Sequence, residues 1–335
     1  MNFKPKRLVI FALVWSTLFI FISSPLASAA TPTSIKGGGQ ALEIAPPIIE
    51  VSGNPGQSIT ALVHLRDISS GPLIVTNQIN DFVAKGDTGV PEILLNADPL
   101  NPYTLIGYIT PLPTLLLQPQ QIKLLDVVIH IPTDASPGGH YGVIRFTGTP
   151  PSLTGASGVS LSASLGALIL LTVNGHISEN LKTAAFNVSS DGSHPSSFFQ
   201  SIPLTFSELL KNTGNVHVVP TGTVTLDDMF GHKVIAMNIN EETGNVLPGS
   251  ARKFSQTLNS VDFTHKRLFG RYSATFSVSY GVQKQVLTSS LTFWVIPIDL
   301  IIIWILVLIG GFFLIRWLFK RYNQYIIEKA KKSIR

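Results

Sequence analysis

The 335-residue sequence contains no cysteine. A disulfide-stapled secreted scaffold, a cysteine nucleophile, a thiolate zinc site and a lipid-modified cysteine anchor are therefore excluded. Charged residues are also scarce, at 13%, whereas 45% of the chain is hydrophobic. This balance argues against disorder and predicts packed domains, and the length is sufficient for two of them.

The formal charge of +5 is concentrated at the two ends of the chain. Of the 24 basic residues, three lie in the first seven positions and seven in the last twenty. Residues 31–315 contain 14 basic and 18 acidic residues, so this middle part has a net charge of −4. We therefore expect no nucleic-acid partner, because binding to phosphates requires clustered Lys and Arg side chains.

The N-terminus has the pattern of a secretory signal peptide. Three basic residues precede an apolar run at residues 8–22, and small residues follow it. Such a pattern predicts a signal peptide over residues 1–30, cleaved after Ala29 or Ala30, with an uncleaved N-terminal anchor as the alternative. Residues 31–39 include three consecutive glycines and are expected to form a flexible segment.

A second apolar run near the C-terminus predicts a transmembrane helix over residues 297–319. Residues 300–315 carry no charge, and Pro297 suits the first position of a helix. Seven basic residues follow the run, so residues 320–335 are expected to be a cytoplasmic tail. The sequence thus predicts a single-pass cell-membrane protein whose N-terminal domains lie outside the cell.

Between the two ends, apolar and polar residues alternate with the period of β-strands. The alternation is clear at residues 58–66, 123–131 and 272–280, and residues 165–173 form the continuously apolar run of a central strand. No long stretch there has helical periodicity. We therefore predict an all-β fold of two tandem immunoglobulin-like antiparallel β-sandwiches, followed by the transmembrane helix.

A turn signal after the central strand places the boundary between the two sandwiches. Asn174-Gly175 ends that strand, so the first domain is predicted over residues 40–175 and the second over residues 176–296.

Each predicted domain contains a Gly-x-Tyr string late in its span. In immunoglobulin-like sandwiches such a tyrosine forms a corner, in which its hydroxyl group bonds to nearby backbone. We therefore interpret these residues as structural turn and corner residues rather than ligand contacts: Pro137, Gly138, Gly139, Tyr141, Gly270 and Tyr272.

The sequence contains no recognisable catalytic constellation. The eight histidines are scattered, with no two at metal-ligand spacing on one element. Ser157 lies in a Gly-rich string that lacks the second half of a nucleophile elbow. Asp227 and Asp228 are adjacent and would point to opposite faces of a strand. We therefore expect a protein that is not an enzyme and that uses no cofactor or metal, and the sequence leaves its ligand-binding residues unknown.

The layout resembles that of the WxL-interacting surface proteins of bacteria. The resemblance rests on the overall order of segments and on three strings in the second domain: Asn212-Thr213-Gly214-Asn215-Val216-His217, Asn245-Val246-Leu247-Pro248-Gly249-Ser250 and Gly270-Arg271-Tyr272. It covers nearly the whole chain. The better-known members have Met-Ala-Pro-Asn-Ser where this chain has residues 246–250, which makes it a divergent member.

The resemblance implies a non-catalytic surface protein. In such proteins the first domain is implied to bind peptidoglycan and the second a protein partner. The alternative is an accessory or chaperone-like subunit that assembles other envelope proteins by strand-edge pairing.

The signal-peptide interpretation leads to the first prediction. Mass spectrometry of the mature protein should find an N-terminus at Ala30 or Thr31. Recovery of residues 1–20 in the mature chain would show instead that the segment is retained as an anchor.

Overall fold

The computed structural model of the protein describes residues 42–96, 98, 100–151, 163–190, 192, 194–259 and 268–333. The predicted signal peptide and the predicted flexible segment, residues 1–30 and 31–39, lie outside the described residues. The described chain forms two β-sandwiches followed by one long helix, which confirms the fold class predicted from the sequence.

The first sandwich contains nine strands in two sheets. They are β1 (Leu42–Ala45), β2 (Ile48–Gly53), β3 (Ser58–Asp67), β4 (Leu73–Lys85), β5 (Val90–Leu94), β6 (Leu115–Leu117), β7 (Ile122–His130), β8 (Gly138–Thr149) and β9 (Ala163–Val173). One sheet has the order β1-β3-β7, and the other has the order β2-β9-β8-β4-β5 with β6 paired to β4.

The N-terminal strand segment crosses from one sheet to the other. β1 pairs antiparallel with β3, whereas β2 pairs parallel with β9. Pro46 and Pro47 lie at the crossing, where their missing N–H groups are no loss to either ladder. As a result β2 lies beside only residues 168–173 of β9.

The core of the first sandwich follows the alternation seen in the sequence. On β3, Ala61, Val63 and Leu65 are buried, while Leu62 and His64 between them are exposed. Ile169 and Leu171 of β9 face this core, and Leu170 on the opposite face is buried in a cluster with Leu247 of the second sandwich. This position explains the nearly continuous apolar run of β9.

The second sandwich contains eight strands. They are β10 (Leu181–Ser189), β11 (Phe198–Phe199), β12 (Leu204–Asn212), β13 (Thr221–Asp227), β14 (Lys233–Ile239), β15 (Ala251–Leu258), β16 (Gly270–Tyr280) and β17 (Gln285–Val295). Its sheets have the orders β10-β12-β15 and β11-β17-β16-β13-β14. On β16 every even residue from Tyr272 to Tyr280 is buried, as the sequence predicts.

Among the described residues of the second sandwich, one carboxyl group is buried. Glu208 on β12 is 1% exposed, and both of its carboxyl oxygens accept hydrogen bonds of 3.1 Å from the Ser289 hydroxyl group on β17. Burial raises the pKa of Glu208 to about 7, although the hydrogen bonds favour the charged form. The group therefore titrates near neutral pH.

The helix α1 (Ile298–Ser333) begins three residues after β17 ends. The segment Ile298–Ile327 is long enough to cross a membrane, and an 18-residue window within it has a mean hydropathy of 2.8. At 1.5 Å per residue the 36-residue helix is about 54 Å long, which exceeds a bilayer core of about 30 Å. It therefore continues through most of the segment predicted as a tail, where no Gly or Pro interrupts it.

Replacement of Glu208 by Gln should change how stability depends on pH. The folded-state pKa lies above the unfolded-state value, so the wild-type protein loses stability as the pH rises from about 4.5 to about 7. A neutral amide avoids this loss. As the pH rises from 5 to 8, we expect the unfolding free energy of the variant to increase relative to that of the wild type by on the order of 2 kcal/mol.

Chemical unfolding of the full chain in detergent at both pH values measures this difference. Glu241→Gln is the control, because Glu241 is exposed in a turn. An equal response of the two variants to pH would contradict the burial argument.

Candidate functional site

The two sandwiches meet at a joint built around Asn215. Its side-chain Nδ2 donates to the carbonyl oxygens of Pro137 and His176, at 3.2 and 2.9 Å, and its Oδ1 accepts from the backbone N–H of Ser178 at 2.7 Å. Its own carbonyl oxygen accepts from the Gly139 N–H at 2.8 Å. One side chain thus connects the first sandwich, the linker and the second sandwich.

Asn212 shapes the turn that presents Asn215. It is fully buried, and its Nδ2 donates to the carbonyl oxygens of Val216 and Val246, both at 2.8 Å. Its Oδ1 accepts from the Gly214 N–H at 2.8 Å. A Cβ atom at position 214 would overlap the Ser178 carbonyl oxygen, so only glycine fits. The Asn-Thr-Gly-Asn string therefore supplies the hydrogen bonds and the close backbone approach that form the joint.

The Tyr141 side chain reaches across the joint, so its hydrogen-bond partner differs from that of the predicted corner. Its hydroxyl group accepts from the His217 backbone N–H at 2.9 Å and lies 3.2 Å from the His217 Nδ1. The bond thus reaches the second sandwich rather than nearby backbone of the first. Burial raises the pKa of Tyr141 and lowers the pKa of His217, so both groups are neutral near pH 7. The neutral hydroxyl group can then donate to Nδ1.

The glycines before Tyr141 make room for this contact. A Cβ atom at Gly139 would overlap the Tyr141 hydroxyl group, and one at Gly138 would lie 2.6 Å from the Asn215 carbonyl oxygen. Gly138 also has a φ of 128°. Pro137 supplies the carbonyl oxygen that Asn215 binds. These predicted turn residues are structural contacts between the two sandwiches.

At the second predicted corner, the Tyr272 hydroxyl group bonds to nearby backbone. The Tyr272 hydroxyl group accepts from the Phe269 N–H at 3.1 Å and lies 3.3 Å from the Phe269 carbonyl oxygen, to which it donates. Gly270 lies between the two residues with a φ of 107°.

An apolar cluster fills the centre of the contact between the sandwiches. Leu247 of the second sandwich is buried against four residues of the first: Phe82, Tyr141, Val143 and Leu170. Clefts open on both sides of Leu247 and Phe82, with volumes of about 570 and 610 Å³.

Charged groups line the smaller cleft. Glu50, Glu242 and Arg252 face it, and the Asn245 Nδ2 donates to the Glu50 Oε1 across it at 3.2 Å. The Arg252 Nη1 donates to the Asn245 carbonyl oxygen at 3.0 Å, and its guanidinium group lies over the Phe254 ring. The arginine thus already has partners on its own sandwich.

β9 has one edge, here called the open edge, that no described strand pairs with over residues 163–167. The Leu168 N–H donates to the Pro47 carbonyl oxygen and the Asn174 N–H to the Gly53 carbonyl oxygen, so even-numbered peptide groups face β2. Ser164 and Gly166 lie before the point where β2 begins to pair. Among the described residues no strand pairs with this part of the edge.

The described residues contain no group of three or more His, Asp or Glu side chains that could hold a metal ion. Sequence reasoning assigned Asn212 and Asn215 only to a family-like string and missed their role in the joint. It also missed the open edge, because the length of β2 relative to β9 is set by the sheet crossing at Pro46 and Pro47.

Replacement of Tyr141 by Phe should leave the His217 N–H without its acceptor. We expect a loss of about 1 kcal/mol in unfolding free energy and faster amide hydrogen exchange at residues 212–218. Tyr272→Phe is the matched control, because its hydroxyl group bonds only within the second sandwich. It should also lose about 1 kcal/mol but leave exchange at residues 212–218 unchanged. Unchanged stability in both variants would contradict the structural role of these hydroxyl groups.

No model of a known protein family and no curated protein matches the chain. Solved structures with a similar fold include the class 5 fimbriae chaperone CfaA, with 14% identity, 75% of this chain and 98% of that chain covered, and a TM-score of 0.40. The E. coli chaperone DraB has 14% identity, coverage of 76% and 97%, and a TM-score of 0.34. A PapD-like domain of human CEP192 has 13% identity, coverage of 45% and 97%, and a TM-score of 0.29. These scores describe a loose likeness, so we base the function on the contacts of this chain.

Proposed function

We propose that the protein is a non-catalytic, single-pass accessory protein of the cell envelope that binds an extended segment of an exported partner protein. The segment adds a strand along residues 163–167 of β9. The observation that carries the proposal is that no described strand pairs with this edge. The apolar helix anchors the protein in the membrane with both sandwiches outside the cell.

The geometry of the edge supports strand addition. Ser164 and Gly166 each direct an N–H and a carbonyl group away from β8, and both residues are exposed, so these groups can bond to an added strand in place of water. An added strand would bond to all four. Backbone bonds of this kind give affinity in known cases of strand addition, and side-chain pockets give specificity.

The sequence of the open edge supports the same use. Residues 163–167 read Ala-Ser-Leu-Gly-Ala, without a charge or proline. Natural proteins protect unused edges with Lys, Pro or bulges, and this edge has none of these devices. Leu165 is 40% exposed on the strand and offers an apolar contact to an incoming segment.

The anchor is supported by the length and composition of α1. The basic residues that follow its apolar core favour a cytoplasmic C-terminus, which leaves the sandwiches outside. The resemblance to WxL-interacting surface proteins agrees with this location. The peptidoglycan binding that this resemblance implies is the competing function, and the experiment below separates the two.

The experiment uses a photo-crosslinking amino acid at position 165 in the full chain, expressed in its native membrane. We expect a cross-link to an exported protein. Ser164→Pro should abolish it, because proline removes one outward N–H group. Ser164→Ala retains that group and should preserve the cross-link.

Position 62 is the control site for the cross-linker, because Leu62 is 46% exposed on the other sheet. Unfolding curves of both Ser164 variants show whether the fold is retained. Equal cross-linking from positions 62 and 165 would contradict strand addition. Retention of the detergent-solubilised protein on purified peptidoglycan, unchanged by Ser164→Pro, would favour the competing function.

A further inference from the structure

One end of the second sandwich carries a group of exposed apolar side chains, which we call the aromatic rim. Phe230 is 76% exposed, Phe198 65% and Phe269 61%. Single exposed apolar residues are ordinary, but a group of exposed large rings marks an interaction surface. The rim consists of Phe198, Met229, Phe230, Phe269 and Trp294.

The strand ladders place these residues at the same end of the sandwich. Phe198 is the register partner of Trp294. Gly270 pairs with Val295, which places Phe269 beside the end of β17. A Cβ atom at Gly270 would overlap the terminal methyl group of Met229, so the turn between β13 and β14 packs directly against this point.

A fixed turn holds the most exposed ring of the rim outward. The Asp228 Oδ1 accepts from the backbone N–H groups of Phe230 and His232, both at 2.9 Å. The Asp228 N–H donates to the His232 carbonyl oxygen at 2.9 Å, and the Gly231 N–H donates to the Asp228 carbonyl oxygen at 3.0 Å. Hydrogen bonds within the turn thus fix its shape, and the Phe230 ring lies outside the core, exposed on the surface.

The apolar helix leaves the sandwich at this end. The Ile296 N–H donates to the Phe199 carbonyl oxygen at 2.7 Å, and α1 begins at Ile298. At about 3.3 Å per residue, Trp294 lies within about 13 Å of the first helical residue. When the helix spans a bilayer, the rim is therefore at the depth of the lipid headgroups, where aromatic residues are enriched in membrane proteins.

The opposite end of the second sandwich has a different surface. In the rest of the described second sandwich, the exposed large apolar residues are Val282 and Val286, near the turn between β16 and β17. No aromatic ring is among them. Arg271, which is exposed and pairs with Trp294 in the ladder, adds a positive charge beside the rim.

We propose that the aromatic rim inserts into the interfacial layer of the lipid bilayer and holds the second sandwich on the membrane surface. The inference rests on the membrane anchor of the proposed function and is independent of strand addition. A domain fixed at two sites, the helix and the rim, has its joint and its open edge directed away from the lipid.

Because the sequence contains no cysteine, a single introduced cysteine can be labelled at each chosen position. The full chain is reconstituted into vesicles of phosphatidylcholine and phosphatidylglycerol, with an environment-sensitive fluorophore on Phe230→Cys, Phe269→Cys or Val282→Cys. We expect the first two probes to emit at shorter wavelength than the third. We also expect nitroxide-labelled lipids to quench them several-fold more strongly.

Ile309→Cys, in the middle of the apolar helix, reports on the anchor separately. An unquenched probe at position 309 would contradict the anchor. A quenched probe at 309, together with probes at 230 and 269 that behave like the one at 282, would overturn the rim proposal alone. A shift to shorter wavelength without quenching by lipid would assign the rim to a protein surface and would also overturn it.

Discussion

The hydrogen bonds of the Asn215 side chain are the interaction on which the arrangement of the two sandwiches depends. An asparagine can donate twice and accept through its amide oxygen, and here the Asn215 side chain uses both functions on backbone groups of two other segments, at Pro137 and in the linker. Hydrogen bonds are directional, and the donor–acceptor distances here are 2.7, 2.9 and 3.2 Å. The joint therefore fixes the mutual position of the sandwiches more than apolar contact alone would.

This joint also determines which surfaces remain available. Leu247 and its apolar partners close the centre of the contact, so the clefts lie on either side of it. Because the N-terminal strand crosses between the sheets at Pro46 and Pro47, β2 pairs with β9 only from Leu168 onward, and no described strand pairs with the outer edge of residues 163–167. The aromatic rim lies at the far end of the second sandwich. The start of α1 lies at the rim end of the second sandwich, where the Ile296 N–H donates to the Phe199 carbonyl oxygen.

Most of the fold was predictable from the sequence. Residues 58–66, 123–131 and 272–280 alternate and form β3, β7 and β16, because the side chains of a strand point to opposite faces and only one face is buried. The candidate site was less predictable. Tyr141 was predicted to form a corner with nearby backbone, yet its hydroxyl partner lies 76 residues away in the chain and in the other sandwich.

The sequence by itself determined the class of the protein: two β-sandwiches without disulfides, an apolar helix, and basic residues placed at the ends. These properties follow from local periodicity, composition and charge. The tertiary structure alone decided that Asn215 joins three segments, that no described strand pairs with the outer edge of residues 163–167, and that Phe230, Phe269 and Trp294 lie together. Such proximities depend on strand register and sheet order, which bring distant residues together through packing that local patterns do not encode.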